Sequence, residues 1–170
     1  TWNDLYEKVC KFSSYLKKLN LQKGDRVAAY VPNKIESIVC FLACAKNGII
    51  WSSCSPDFGV RGVVDRFKQI EPKVFITCDY YYYNGKKIDI LGKVEEILKQ
   101  IPSIKKVIVF NYNKKEKGSL KNFINFEETL KNDLDEVFER FQFNHPIYIL
   151  FSSGTTGKPK CITHGSGNVL

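Results

Sequence analysis

Tyr148-Ile149-Leu150-Phe151-Ser152-Ser153-Gly154-Thr155-Thr156-Gly157-Lys158-Pro159-Lys160 is the stretch that orients the whole chain. An apolar run of strand character passes straight into a loop of hydroxyl and glycine residues, which closes on two lysines. That chemistry suits a polyphosphate. Glycines let backbone N–H groups turn inward and approach an anion closely. The hydroxyls of Ser152, Ser153, Thr155 and Thr156 can donate to phosphate oxygens, and Lys158 and Lys160 supply positive charge. In an open α/β sheet, ligands bind at the carboxyl ends of the strands, where this loop stands. It is not a Walker A loop, which needs G-x-x-x-x-G-K-[ST]. Here Gly154 and Gly157 are three apart and Pro159 follows Lys158. The kinase glycine-rich spacing fails as well. The competing reading is a surface loop built of common turn residues.

Working outward, strands and helices alternate. Apolar residues Leu5, Val9, Phe12 and Leu16 recur at helical spacing over 2–19, with Thr1 as N-cap and Asp4 in the first turn. A short strand is predicted at 26–31, a helix over 34–47 stopped by Gly48, and a strand at 49–53. Ser55-Pro56-Asp57 is a turn into a helix at about 60–70, closed by Pro72. A strand follows at 74–77, then an extended arm Tyr80–Tyr83 with a turn at Asn84-Gly85-Lys86-Lys87. A helix over 92–100, a strand at 106–110 and a strand at 146–151 complete the pattern. The stretch 111–145 is polar and broken, with a short helix at 126–132, and reads as an insertion or lid-like region. Continuous apolar strands between helices argue for an α/β fold: a mostly parallel sheet with helices on both faces.

The chain has 170 residues, 26 Lys+Arg against 18 Asp+Glu, and so a net charge of +8. The excess is nearly all Lys, spread along the chain, whereas a duplex reader tends to use Arg for bidentate base contacts. No nucleic-acid role is read from it; a basic surface does attract anionic small molecules. The six cysteines form no C-x-x-C pair, and two His leave little for a zinc site, so no metal site is expected. All six read as reduced thiols of a cytoplasmic protein. No apolar run approaches the ~20 residues that span a bilayer, so no membrane role is expected. Without a single Met, Thr1 is not a translation start, and the chain is expected to be a piece of a longer protein.

Ser152-Ser-Gly-Thr-Thr-Gly-Lys-Pro-Lys160 resembles the phosphate-binding signature of the adenylate-forming superfamily. The likeness extends along the chain. Thr1-Trp2-Asn3-Asp4-Leu5-Tyr6 and Lys23-Gly24-Asp25-Arg26-Val27-Ala28 resemble the opening of acyl-CoA synthetases. Trp51-Ser-Ser-Cys-Ser-Pro-Asp-Phe-Gly-Val-Arg61, the run Asp65–Lys73 and Tyr83-Asn84-Gly85-Lys86 are closer to acetoacetyl-CoA synthetases than to acetyl-CoA synthetases. One departure is Cys161, where many members have Gly.

The resemblance implies an N-terminal AMP-binding domain over 1–170, incomplete at its C-terminal side. It implies an acid–CoA ligase of lipid metabolism that uses ATP, Mg²⁺ and coenzyme A on a small carboxylic acid, acetoacetate first. Acetyl- or propionyl-CoA synthetase is the alternative enzyme, and a non-catalytic nucleotide-binding relic is the alternative class. Ser152, Ser153, Gly154, Thr155, Thr156, Gly157, Lys158 and Lys160 would grip the ATP phosphates, with Lys160 the better-matched lysine. Asn84, Lys86 and Lys87 would approach the 3′-phosphate of coenzyme A, as a related basic segment does in acetyl-CoA synthetases. The family's catalytic Lys and ribose-binding Asp are expected beyond Leu170, so no catalytic residue is assigned here and this chain alone is expected to be inactive. His164 reads either as a pocket residue or as a packing one, and His145 as structural.

Overall fold

The computed structural model describes residues 1–112, 123–153 and 157–169. Helix α1 (Trp2–Lys18) starts at a capping box in which Thr1 and Asp4 satisfy each other's backbone N–H groups. It buries Val9, Cys10, Phe12 and Leu16 on one face. Strand β1 (Arg26–Tyr30) leads to α2 (Ile35–Lys46), then β2 (Ile50–Cys54), α3 (Val60–Ile70) and β3 (Val74–Cys78). The arm over 80–89 is a hairpin of β4 (Tyr80–Tyr83) and β5 (Lys86–Asp89). Its turn residues Asn84 and Gly85 both lie at positive φ, 48° and 72°, the signature of a tight two-residue hairpin turn. There follow α4 (Leu91–Gln100), β6 (Lys106–Phe110), β7 (Ile124–Asn125), α5 (Phe126–Thr129), β8 (Pro146–Ser152) and β9 (Lys160–Gly165).

Seven strands form one sheet in the order β7-β6-β3-β1-β2-β8-β9. Six run parallel; β9 alone is antiparallel, folding back on β8. The sheet is covered on both faces. From α2, Phe41 meets Trp51 and Tyr148; from α3, Phe67 meets Phe75 and Phe151. Tyr148 and Phe151 are three apart on β8 and so point to opposite faces, which puts α2 and α3 on opposite sides. The cover thins toward β9, where the cross-strand pair Leu150 and Ile162 is exposed on its face.

Of the stretch 111–145, read as an insertion or lid-like region, residues 113–122 lie outside the described residues, and 131–143 is irregular but tethered. Lys46, on α2, has its ammonium buried and bonded to Asp135 Oδ2 (2.8 Å), to the Val137 carbonyl (2.6 Å) and to Ser13 Oγ (3.2 Å). Lys23 pairs with Glu139 at 2.9 Å. Burial alone would raise the Asp135 carboxyl, but hydrogen bonds from Lys46, Lys17 and Ser13 hold it well below the usual carboxylate range. The predicted helix at 126–132 is shorter than expected, because Leu130 caps it and Asn132 Nδ2 bonds the Thr129 carbonyl at 2.7 Å.

Candidate active site

Parallel strands deliver their carboxyl ends to one edge, and two features share it. The first is the loop between β8 and β9. Ser152 ends β8, Lys160 begins β9, and the two are direct cross-strand partners at the neck of the loop. Ser153, Lys158 and Lys160 are exposed, and Gly157 takes φ +140°. Gly154, Thr155 and Thr156 lie outside the described residues. The strand that the sequence predicts to run into this loop is therefore present, a returning strand follows it, and Ser152, Ser153, Gly157, Lys158 and Lys160 are gathered at their end. Gln69, near the end of α3, donates from Nε2 to the Pro159 carbonyl at 2.9 Å and so anchors the returning limb. Buried Ser52, on β2, donates to the Ile149 carbonyl at 2.8 Å and ties β8 to the sheet.

The second feature is a cleft of about 450 Å³ over the ends of β1 and β2, between Ser53–Asp57 and Tyr81–Tyr83. The chain crosses from β1 outward to β2, then back across β1 to β3, so the cleft opens where the strand order reverses. Its rim is the β4–β5 hairpin, which carries Asn84 in its turn and Lys86 and Lys87 at the start of β5, all exposed. Lys87 Nζ lies 3.9 Å from the centre of the Tyr80 ring. Tyr80 and Tyr81 are buried as packing residues, while Tyr82 and Tyr83 are exposed beside the lysines.

A hydroxyl network fixes the cleft wall. The Tyr30 hydroxyl, at the end of β1, lies 2.6 Å from the Pro56 carbonyl and 2.7 Å from that of Phe58. Tyr81 donates to Asp57 Oδ1 at 2.8 Å, and Ser55 donates to Asp57 Oδ2 at 2.8 Å. Those two bonds hold the Asp57 carboxyl below its ordinary value. Burial, reinforced by Asp57, pushes the Tyr81 phenol up to about 12, so it stays a donor. Burial pushes the Cys54 thiol up to about 11 against the opposing charge of Arg66, which keeps this cleft cysteine protonated and unreactive.

Sequence reasoning missed Gln69, Tyr30, Asp57 and Tyr81 as site-shaping residues. Ser55-Pro56-Asp57 carried a turn signal, but the tyrosines that lock it come from elsewhere in the chain. The two histidines pack: His164 lies against Tyr148 at 4.8 Å between ring centres, and His145 stacks on Phe141 at 4.7 Å.

A model of the AMP-binding enzyme family matches residues 1–170. The chain belongs to the AMP-binding enzyme family. Among its relatives, an acetoacetyl-coenzyme A synthetase of Rhizobium meliloti is 44% identical over 176 residues, covering 100% of this chain and 27% of the relative. An acetoacetyl-CoA synthetase of Macaca fascicularis is 40% identical, with the same two coverages. A malonamoyl-CoA synthetase of Penicillium aethiopicum is 37% identical over 190 residues, covering 100% of this chain and 25% of that protein. The solved acetoacetyl-CoA synthetase from Streptomyces lividans superposes with a TM-score of 0.94 at 38% identity, over 99% of this chain and 26% of that one. The chain thus spans about a quarter of the length of the relatives it matches. Within this AMP-binding chain, no helix among the described residues is long and apolar enough to cross a membrane. Among the same residues, no group of three or more His, Cys, Asp or Glu is placed to hold a metal ion.

Proposed function

We propose that this chain is part of the N-terminal domain of an acid–CoA ligase acting on acetoacetate. One observation carries the reading: similarity to acetoacetyl-CoA synthetases runs through the entire chain, in sequence at 38–44% identity and in backbone at TM-score 0.94. In the first half-reaction the carboxylate attacks the α-phosphorus of ATP. An acyl-adenylate forms and the bond to pyrophosphate breaks. In the second, the thiolate of coenzyme A attacks the acyl carbon and AMP leaves with the bonding electrons.

The β8–β9 loop suits the first step. Ser152, Ser153, Gly154, Thr155, Thr156, Gly157, Lys158 and Lys160 would grip the β- and γ-phosphates, and Lys160 would neutralise charge as pyrophosphate departs. Mg²⁺ would enter with the polyphosphate. The hairpin suits the second step: the Asn84 side chain and the Lys86 and Lys87 ammonium groups, beside exposed aromatic rings, would receive the phosphate-bearing end of coenzyme A. Five of the six cysteines are buried and all six are free, which supports a reducing, cytoplasmic setting.

The malonamoyl-CoA synthetase relative supports a particular class of acid. Acetoacetate and malonamate share one skeleton, a carboxylate with a carbonyl two carbons away, and differ by methyl against amino. A β-carbonyl acid is therefore the substrate class, with acetoacetate first. The test is acid-dependent ATP–pyrophosphate exchange by the full-length protein with acetoacetate, malonamate, acetate, propionate and butyrate. Exchange led by acetoacetate is expected. Exchange led by acetate or propionate would overturn the acid and keep the chemistry. No exchange with any of the five would overturn the ligase reading in favour of a nucleotide-binding module without adenylation.

A further inference from the structure

We propose that Tyr81 is a positioning residue for coenzyme A, acting through Asp57; this rests on the reading that the β4–β5 hairpin receives that ligand. The hairpin is not part of the seven-stranded sheet and is held at its base and along one side. At its base the Asp79 carboxylate accepts from the backbone N–H groups of Tyr80 and Tyr112, both at 2.8 Å. Along the side, Tyr82 packs edge-on against Tyr112, 5.4 Å between ring centres. Tyr81 joins the hairpin to the opposite wall of the cleft, where its hydroxyl meets Asp57 in the loop between β2 and α3. That loop is itself tied to β1 through Tyr30. The Tyr81–Asp57 bond therefore sets the separation of the two walls, and with it the position of Tyr82, Tyr83 and the lysines at the start of β5.

The bond also has an electrostatic role. A carboxylate beside a site for a phosphate is repulsive unless its lone pairs are occupied. Tyr81 takes one oxygen of Asp57 and Ser55 the other, so both are turned into local hydrogen bonds. A phenylalanine at position 81 would fill the same space but leave Asp57 Oδ1 without that donor and the walls unjoined.

The experiment uses the full-length protein and separates the half-reactions. In Tyr81→Phe the KM for coenzyme A rises roughly tenfold, the low end for one lost hydrogen bond to a charged group. Acid-dependent ATP–pyrophosphate exchange, run without coenzyme A, changes by less than about twofold, since that step does not use the hairpin. Asp57→Ala raises the KM too, but by less, since it unjoins the walls while removing the carboxylate that Tyr81→Phe leaves uncovered. Asp57→Asn, which keeps an oxygen acceptor for the Tyr81 hydroxyl, stays closer to the wild type. An unchanged KM in both Tyr81→Phe and Asp57→Ala overturns the proposal, as does an equal loss in exchange and in coenzyme A kinetics, which marks a merely structural residue. A wild-type protein that shows no exchange with any acid sinks the ligase reading and this proposal with it. An active wild type with an indifferent Tyr81→Phe sinks the positioning role alone.

Discussion

Removing Asp135 is expected to destabilise the protein by about 3 kcal/mol, and the reason is Lys46 rather than Asp135 itself. The Lys46 side chain is only 2% exposed and that of Asp135 13%. Without the carboxylate, the ammonium keeps the Val137 carbonyl and Ser13 hydroxyl but loses its counter-charge in a site closed to water. Breaking a buried pair from one side costs about 3–5 kcal/mol, whereas removing both charges is closer to neutral. The second partner of Asp135 matters far less: Lys17 is 41% exposed, and its share is under about 1 kcal/mol. For a chain of this size, 3 kcal/mol corresponds to a fall in Tm of roughly 6–12 °C. Thermal unfolding of Asp135→Ala, Lys17→Ala and the double variant Asp135→Ala/Lys46→Met, followed by circular dichroism, reads the comparison. The double variant is expected to recover part of the loss. A shift below about 2 °C for Asp135→Ala, or a double variant worse than the single, would refute the argument that an orphaned buried ammonium sets the cost.

The same carboxylate predicts a pH dependence. Its folded-state value lies well below the ordinary one, so its stabilisation is complete above about pH 4 and is lost as the pH falls below that. The Tm difference between wild type and Asp135→Ala should therefore narrow between about pH 4 and pH 2 in matched melts. Gly48→Ala should cost about 2 kcal/mol, because Gly48 sits at φ +65° and a Cβ would meet the Phe141 ring at 2.5 and 2.8 Å. Gly24→Ala, at φ +84° with nothing within 4 Å, is the control for the backbone part alone, and equal losses would show that the ring contact is immaterial. In the phosphate loop, Lys160→Ala should lower acid-dependent pyrophosphate exchange by about tenfold or more in the full-length protein, and Lys158→Ala by less; the reverse order would reassign the grip.

Features set by local pattern were legible in the sequence. The helix at Val60–Ile70 and the strand at Lys106–Phe110 match their predicted bounds, because amphipathic spacing and a flanking Pro settle them locally. The strand expected at 49–53 is displaced to Ile50–Cys54, since its end is set by pairing of Cys54 with Tyr30 on a neighbouring strand. The hydroxyl–glycine–lysine loop stands out in the sequence by composition as a candidate polyphosphate site. The groups that hold its surroundings were not. Gln69 reaches Pro159 across 90 positions, Lys46 reaches Asp135 across 89, and Tyr81 reaches Asp57 across 24. A buried Lys in an apolar helix has no local signature of its partner, and a run of four tyrosines gives no sign of which hydroxyl is bonded.

The architecture would let one chain segment serve both halves of the proposed reaction. Parallel pairing of β1, β2, β3, β6 and β8 sends every strand end to the same edge, so the loop after β8 and the hairpin after β3 open on one side of the sheet. Had β8 paired antiparallel with β2, its glycine-rich loop would emerge at the opposite edge, a full strand length from the cleft. The antiparallel strand is instead β9, the outermost one, where reversal closes the loop into a hairpin and leaves the parallel frame intact. By strand direction alone, the β8–β9 loop with Ser152 and Lys160 and the β4–β5 hairpin open on the same side of the sheet, where the two proposed ligands would meet. Side chains such as Gln69 and Tyr81 then fix each element in place within that frame.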